Sequence, residues 1–131
     1  MRTLLTVIML LASVSVIGSE KLIDIHRLEP TILTDIRYAS SDNFTGAIVT
    51  GYEAAKCLLT HKAARALSQV QRAIQSHNLS LLVFDCYRPQ SAVDYFVEWV
   101  ANSEVQGSKA QYYPRIEKEK LIHLGYIASQ S

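Results

Sequence analysis

Hydrophobic positions along the chain predict two helices that flank a short buried strand. Leu81–Phe84 is continuously apolar, which favours a strand buried on both faces. Apolar residues recur at helical spacing from Thr60 to Ser76 and again from Pro89 to about Asn102. The predicted apolar stripes are Ala63, Leu67, Val70 and Ile74 in the first helix, and Ala92, Val93, Phe96, Val97 and Val100, with Trp99 beside them, in the second.

Local signals place the helix ends. Thr60 is a good N-cap, Asn78 can adopt the left-handed conformation that closes a helix, and Pro89 suits the first position of the second helix.

The remaining segments give weaker patterns. We expect an extended arm over Glu20–Glu29, a strand over Ile32–Tyr38 and a short strand over Ile48–Thr50. Ile116–Leu124 predicts a short helix that ends at Gly125, and its residues 117–120 (EKEK) predict a solvated face.

The first residues predict a segment outside the fold. A positive start at Arg2 precedes an apolar run, Leu4–Val16, and small residues up to Gly18. This is typical of a secretory signal peptide over residues 1–18, with 19–131 as the mature domain; an uncleaved membrane anchor is the alternative. Export predicts a periplasmic or secreted protein with no membrane attachment after cleavage.

Composition indicates a single globular domain. The chain has 131 residues, of which 49% are hydrophobic and 19% charged, and its net charge is +1. A charge so close to zero argues against nucleic acid or an anionic membrane surface as a partner.

Two cysteines, Cys57 and Cys86, bear on stability. In an oxidising compartment they can form a disulfide that closes a loop of about thirty residues, worth roughly 3 kcal/mol. The alternative is two buried thiols. Without nearby histidines they make a poor zinc site.

Candidate chemistry is confined to the end of the Leu81–Phe84 strand, where Asp85 and Arg88 follow. Strand ends on a rigid scaffold often carry function, but an ion pair of structural importance alone is equally consistent with these two residues. The chain lacks HExxH, GxSxG, phosphate-loop and dinucleotide motifs, and its four histidines show no metal-ligand spacing.

Four blocks in order resemble a known family. These are Asp35-Ile36-Arg37-Tyr38-Ala39 with Asp42-Asn43-Phe44-Thr45-Gly46, then Asp85-Cys86-Tyr87-Arg88-Pro89-Gln90, Tyr112-Tyr113-Pro114, and Gly125-Tyr126-Ile127-Ala128-Ser129. Together they resemble the zinc D-alanyl-D-alanine dipeptidases of the VanX type, peptidase family M15. The resemblance implies an α+β fold, with helices packed on a small antiparallel sheet, and hydrolysis of the D-Ala-D-Ala dipeptide in cell-wall turnover.

The resemblance also implies roles for particular residues. Arg88 matches the arginine that stabilises the developing negative charge of the tetrahedral intermediate, and Asp85 supports its loop. Tyr38 and Tyr52 match tyrosines that line the dipeptide pocket. Ser131 matches a serine that helps to hold the substrate carboxylate.

The family's zinc is bound by two histidines and an aspartate, and a glutamate acts as general base. These follow the block that ends at Ser131 and have no counterpart here. We therefore expect an N-terminal part of the dipeptidase domain that binds no zinc, is inactive alone and is prone to aggregation. The alternative is a non-catalytic exported module that binds D-Ala-ended peptides. Dipeptidase and carboxypeptidase activities, and roles in nutrition and in glycopeptide resistance, all stay open.

Overall fold

A computed structural model describes residues 21–128, so the predicted signal peptide and Ser131 lie outside the described residues. Short 3-10 turns lie at Ile25–Arg27, Arg37–Ala39 and Lys118–Lys120. The strands and helices in that part of the chain are β1 (Leu22–Asp24), β2 (Leu33–Thr34), β3 (Leu58–Thr60), α1 (His61–Gln75), β4 (Leu82–Val83), α2 (Gln90–Ala101) and α3 (Lys109–Tyr112).

The strands form two separate pairs, and helices pack beside them. β1 and β3 are antiparallel, with Leu22 opposite Thr60. β2 and β4 are parallel, with Leu33 opposite Leu82. The predicted α+β class is confirmed. The parallel pair was not predicted; it arises because α1 lies between β3 and β4, and such a crossover allows β4 to return in the direction of β2.

The prediction that Leu81–Phe84 is buried on both faces is wrong for this structure. Leu81 and Val83 pack against the core, whereas the alternate residues Leu82 and Phe84 are 49% and 46% exposed. Successive side chains of a strand point to opposite faces, so one face of the β2–β4 pair is open and apolar. Leu33 lies on that same face and is 58% exposed.

Other segment predictions change as well. The strand predicted over Ile32–Tyr38 is limited to Leu33–Thr34, and Arg37–Ala39 forms a 3-10 turn. The predicted strand Ile48–Thr50 is irregular, although the Val49 amide donates to the Tyr38 carbonyl at 3.0 Å. The predicted arm 20–29 contains β1, which pairs with β3, and then a turn that buries Ile25.

Helix α1 begins and ends where the local signals predict. The Thr60 hydroxyl accepts a hydrogen bond from the Ala63 amide at 3.2 Å, as an N-cap does. Asn78 adopts a left-handed φ of 59° just after the helix.

The buried face of α1, however, differs from the predicted stripe. Ala63 and Val70 are exposed, and Ala64, Ser68 and Gln71 are buried instead. The reason is a set of polar contacts. Gln71 donates to the Thr31 carbonyl at 3.2 Å and accepts from the Leu81 amide at 2.9 Å, so this helix joins the starts of β2 and β4 through hydrogen bonds.

Helix α2 supplies the centre of the hydrophobic core. Its buried residues follow the predicted stripe, with Val97 only partly buried. Phe96 is 1% exposed, and its ring lies 5.1 Å from that of Tyr38. The buried residues of α2 are Ala92, Val93, Phe96, Trp99 and Val100.

None of the described helices is long and apolar enough to cross a membrane.

The segment that follows α2 corrects the prediction of a solvated face over 117–120. Lys118 is 1% exposed, and its ammonium donates to the carbonyls of Asn102 and Val105. The ammonium also lies 4.0 Å from the centre of the Trp99 ring. Burial lowers the pKa of Lys118. A lysine in a charged run is buried here because carbonyl groups and a ring face replace water around it.

Candidate functional site

Strand β4 delivers the irregular loop 84–89 to one end of the core. The amides of Asp35 and Arg37 donate to the carbonyls of Val83 and Phe84, at 2.9 and 3.3 Å, and so fix the start of this loop beside the Tyr38 segment. Pro89 occupies the N-cap of α2 and fixes the end of the loop.

Within this loop Asp85 is the acceptor for three groups. The Arg88 guanidinium donates to Asp85 Oδ2 from Nη2 at 2.8 Å and from Nε at 3.2 Å. The Tyr52 hydroxyl donates to Asp85 Oδ1 at 2.7 Å, and the Cys86 amide donates to the same oxygen at 2.9 Å. A planar guanidinium held by two bonds has a defined orientation.

Aromatic rings form the floor beneath Arg88. Its guanidinium carbon lies 5.1 Å from the centre of the Tyr38 ring and 5.3 Å from that of Phe96. The Tyr38 and Tyr52 rings are 5.3 Å apart. Cation–π contacts of this kind hold the positive charge in place without neutralising it.

Electrostatics keep the arginine charged and the tyrosines neutral. Burial alone would lower the pKa of Arg88, but the hydrogen bond and charge of Asp85, together with Tyr38 and Tyr52, outweigh it and raise that pKa. Burial, together with the hydrogen bond to Asp85, raises the pKa of Tyr52 well above its usual value. Burial also raises the pKa of Tyr38, against the opposing charge of Arg88. The site therefore presents a permanent cation beside uncharged phenols.

Two open cavities meet at Tyr38. One, of about 210 Å³, lies between Tyr38 and the segment that contains Tyr126 and Ile127. The other, of about 140 Å³, is bordered by Tyr38, Asp85 and Arg37. Space for a small ligand thus lies next to the Arg88 cluster.

A second charged cluster borders the smaller cavity and was not predicted. Arg37 pairs with Asp35 at 2.8 Å and also with Asp42. The Tyr112 hydroxyl donates to Asp42 Oδ1 at 2.6 Å, and Arg37 lies 5.1 Å from the Phe84 ring. The hydrogen bond from Tyr112, supported by Arg37, lowers the pKa of Asp42. The alternating charges of residues 35–42 were the signal in the sequence that could have indicated this cluster.

Comparison with known proteins shows the family of this chain. The sequence model of the family Peptidase M15, described as D-ala-D-ala dipeptidase, matches residues 18–131. This chain belongs to that family.

Relatives in the M15 dipeptidase family include three proteins named D-alanyl-D-alanine dipeptidase. That of Enterococcus faecalis is 46% identical over 97 residues, which are 74% of this chain and 48% of the relative. Those of Enterococcus faecium and Streptomyces coelicolor are each 39% identical over 97 residues, with the same coverage. The chain spans about half the length of the curated relatives it matches.

The structure brings most of the site residues that the M15 resemblance assigns into one cluster. Arg88, Asp85, Tyr38 and Tyr52 are in contact or separated by one ring. Tyr52 is 6% exposed, so its hydroxyl faces Asp85 and is not open to solvent. Ser131 lies outside the described residues. Cys57 and Cys86 form a disulfide, with their Cα atoms 5.1 Å apart.

Proposed function

We propose that this protein acts on D-Ala-D-Ala as a dipeptidase of the M15 family, and that the described residues bind the dipeptide and stabilise charge on it. The family match and the printed names of the relatives support the reaction class. The position of Arg88 supports the role of this part of the chain.

The observation that carries the proposal is the fixed, accessible guanidinium of Arg88. Its side chain is 34% exposed although it is bonded to Asp85 on one side. Peptide hydrolysis places negative charge on the carbonyl oxygen, and a donor already oriented toward that position stabilises the transition state more than the ground state. Arg88 donates to this oxygen the N–H groups that Asp85 does not use. The space where the two cavities meet at Tyr38 holds the body of the dipeptide.

The zinc that the resemblance implies does not fit the described residues. Across residues 21–128, no three His, Cys, Asp or Glu side chains converge where a metal ion could bind. We therefore assign two roles to this part of the chain, substrate binding and charge stabilisation. Neither role uses a metal ion bound by these residues.

A second candidate is a non-catalytic module that binds D-Ala-ended peptides. The intact Arg88 cluster supports this candidate, because a fixed guanidinium can bind a peptide without any reaction. Both candidates require the same contact between Arg88 and the peptide, but only the first requires turnover.

Titration of the purified chain with D-Ala-D-Ala, followed by NMR and with L-Ala-L-Ala for comparison, tests the proposal. Arg88→Lys keeps the charge but loses the planar fork, so we expect dipeptide affinity to fall roughly tenfold or more. Arg72→Lys is the matched control. Arg72 lies on α1 and pairs with Glu29, so its substitution should leave the affinity for the dipeptide unaltered.

Hydrolysis of the dipeptide with zinc added separates the candidates. Turnover supports the dipeptidase and rules out a module that only binds the peptide. If D-Ala-D-Ala does not bind, or binds equally well to the Arg88→Lys variant, the proposed role of Arg88 is wrong.

We further infer that the protein works outside the cytoplasm, in the periplasm or beyond it, in cell-wall peptide turnover. The Cys57–Cys86 disulfide supports this location, since such bonds persist in oxidising compartments. Mass spectrometry of the protein from expressing cells tests it: a chain that begins at Ser19 supports export, and a chain that retains residues 1–18 in the cytoplasm contradicts it.

A further inference from the structure

The loop that carries Arg88 has few connections to the rest of the fold. Residues 85–89 have no regular secondary structure. The bonds between Arg88 and Asp85 lie within the loop, and the amide of Cys86 is used by the Asp85 side chain. These contacts fix the arginine relative to its own loop, and the Tyr52 hydroxyl, which donates to Asp85 at 2.7 Å, links this pair to the core from one side.

Attachment to the β1–β3 sheet comes through two neighbouring links. The Tyr87 amide donates to the Leu58 carbonyl at 3.0 Å, and Cys86 is bonded to Cys57. Cys57 is 1% exposed, and its carbonyl accepts from the Ile25 amide at 2.9 Å. The Cys57 end of the disulfide is therefore buried beside the paired strands β1 and β3. The Cys86 end lies two residues before Arg88.

We propose that the Cys57–Cys86 disulfide is a positioning crosslink that holds the Arg88 guanidinium over the Tyr38 and Phe96 rings. The consequence for substrate rests on the proposed function, whereas the positioning of the guanidinium does not. A catalytic or binding group needs its supports to restrain it to within a fraction of an ångström. The disulfide provides this restraint where regular hydrogen bonding is sparse.

The competing explanation is a general crosslink that stabilises the whole domain without a particular effect on Arg88. The structure contains an internal reference that separates the two. Arg72 donates from Nε to Glu29 at 3.0 Å, as Arg88 donates from Nε to Asp85, but Arg72 lies on α1, away from the disulfide. If the disulfide is a general crosslink, its loss should loosen both arginines. If it is a positioning crosslink, its loss should loosen Arg88 but not Arg72.

The test is NMR of the arginine Nε–H groups in the full 15N-labelled chain, before and after addition of dithiothreitol. Reduction transfers two electrons and two protons to the Cys57–Cys86 bond and gives two thiols, while dithiothreitol becomes its cyclic disulfide. The variants Arg88→Lys and Arg72→Lys identify the two signals. No ligand is needed, so this test can fail while the dipeptide test succeeds, and the reverse.

We expect reduction to shift the Arg88 signal and to speed its exchange with solvent by roughly tenfold, with the Arg72 signal unchanged. The double variant with Cys57→Ala and Cys86→Ala should reproduce this without reductant. Equal responses of Arg88 and Arg72, including collapse of both signals because the chain unfolds, would show a general crosslink and overturn the proposal. So would an Arg88 signal that does not respond.

In the dipeptide titration, reduction should weaken D-Ala-D-Ala affinity in the parent chain but have little further effect in Arg88→Lys, since the positioned group is already absent. A further loss in Arg88→Lys as large as in the parent chain would contradict a role that acts through Arg88.

Discussion

At the residue scale, the site depends on Asp85, because one carboxylate orients three donors. Its Oδ1 accepts from Tyr52 and from the Cys86 amide, and its Oδ2 accepts from Arg88. Two of these donors lie in the same loop as Asp85, and Tyr52 connects that loop to another segment of the chain. The resemblance assigns Tyr52 to the substrate pocket, but its position shows that it also supports Asp85.

Tyr52→Phe tests this support, since it removes the hydroxyl and keeps the ring. A buried hydrogen bond to a carboxylate is worth about 1–2 kcal/mol, so we expect the free energy of unfolding in urea to fall by about that amount. Tyr87→Phe is the control, because Tyr87 is 51% exposed and should change stability very little. Equal effects of the two substitutions would argue against the bond.

The same residue predicts a dependence on pH. The folded pKa of Tyr52 is raised above the ordinary 10.0, so its contribution to stability is complete below pH 10 and is lost as the pH rises from 10 toward the folded pKa. Unfolding free energies measured from pH 8 to 11 should fall less steeply above pH 10 in Tyr52→Phe than in the parent chain. If the curves of unfolding free energy against pH are parallel in Tyr52→Phe and in the parent chain, the pKa of Tyr52 is not raised in the folded state.

Lys118 offers a second test at this scale. Lys118→Met keeps the length of the side chain but leaves the Asn102 and Val105 carbonyls without this donor. Unpaired buried acceptors cost about 1–3 kcal/mol, so we expect a loss of that size in thermal or urea unfolding. Lys120→Met, at an exposed position of the same turn, should be close to neutral. A neutral Lys118→Met would mean that water replaces the ammonium.

At the scale of elements, α1 is joined to the strands by a polar side chain and not only by apolar packing. Gln71 is 0% exposed and contacts Thr31, Ser80 and the Leu81 amide. These contacts set the positions of β2 and β4 relative to the helix, and β4 in turn positions Asp85. The helix is thus linked to the site through the Gln71 side chain and strand β4.

Gln71→Leu should therefore destabilise the chain although it adds an apolar residue to a buried face. The unpaired Leu81 amide costs about 1–3 kcal/mol, whereas the Thr31 carbonyl keeps the Ser80 hydroxyl as a donor, and we expect a corresponding shift in the urea midpoint. Gln69→Leu, on the exposed face of the same helix, is the matched control. A stable Gln71→Leu variant would show that burial of leucine outweighs the lost hydrogen bonds.

At the scale of the whole molecule, the parallel β2–β4 pair has an open apolar face. Leu33, Leu82 and Phe84 lie on it, and in the described part of the chain β4 pairs only with β2. Parallel sheets are usually covered on both faces, and open apolar strands promote association. This face is where we expect self-association to occur.

Leu82→Lys should reduce self-association of the purified chain, measured by sedimentation velocity over a range of concentrations. Because Leu82 is 49% exposed, we expect its unfolding midpoint to change little. Leu79→Lys introduces the same charge at a residue that is 61% exposed but lies outside the strands. Equal reductions would mean that net charge, and not the open face, controls association.

The predictions that succeeded concern local features. The Thr60 cap, the left-handed Asn78, the α2 stripe and the strand–loop–helix order around Arg88 all follow from residues within one or two turns of each other. Those that failed concern burial and weak strand signals. Lys118 is polar and was predicted to be solvent-facing, yet its partner, the Asn102 carbonyl, lies 16 residues away in the chain. The short apolar segment Ile48–Thr50 does not pair as a strand.

By itself, then, the sequence determined the two long helices, their ends, the α+β class and the family to which the chain belongs, because dihedral preferences, caps and motif spacing are local. Tertiary structure alone decided the parallel pairing of β2 with β4, the open face beside Phe84 and the orientation of Tyr52 toward Asp85. These depend on which distant groups meet in space, and a pattern of hydrophobic and polar residues does not specify the partner of a given hydrogen bond.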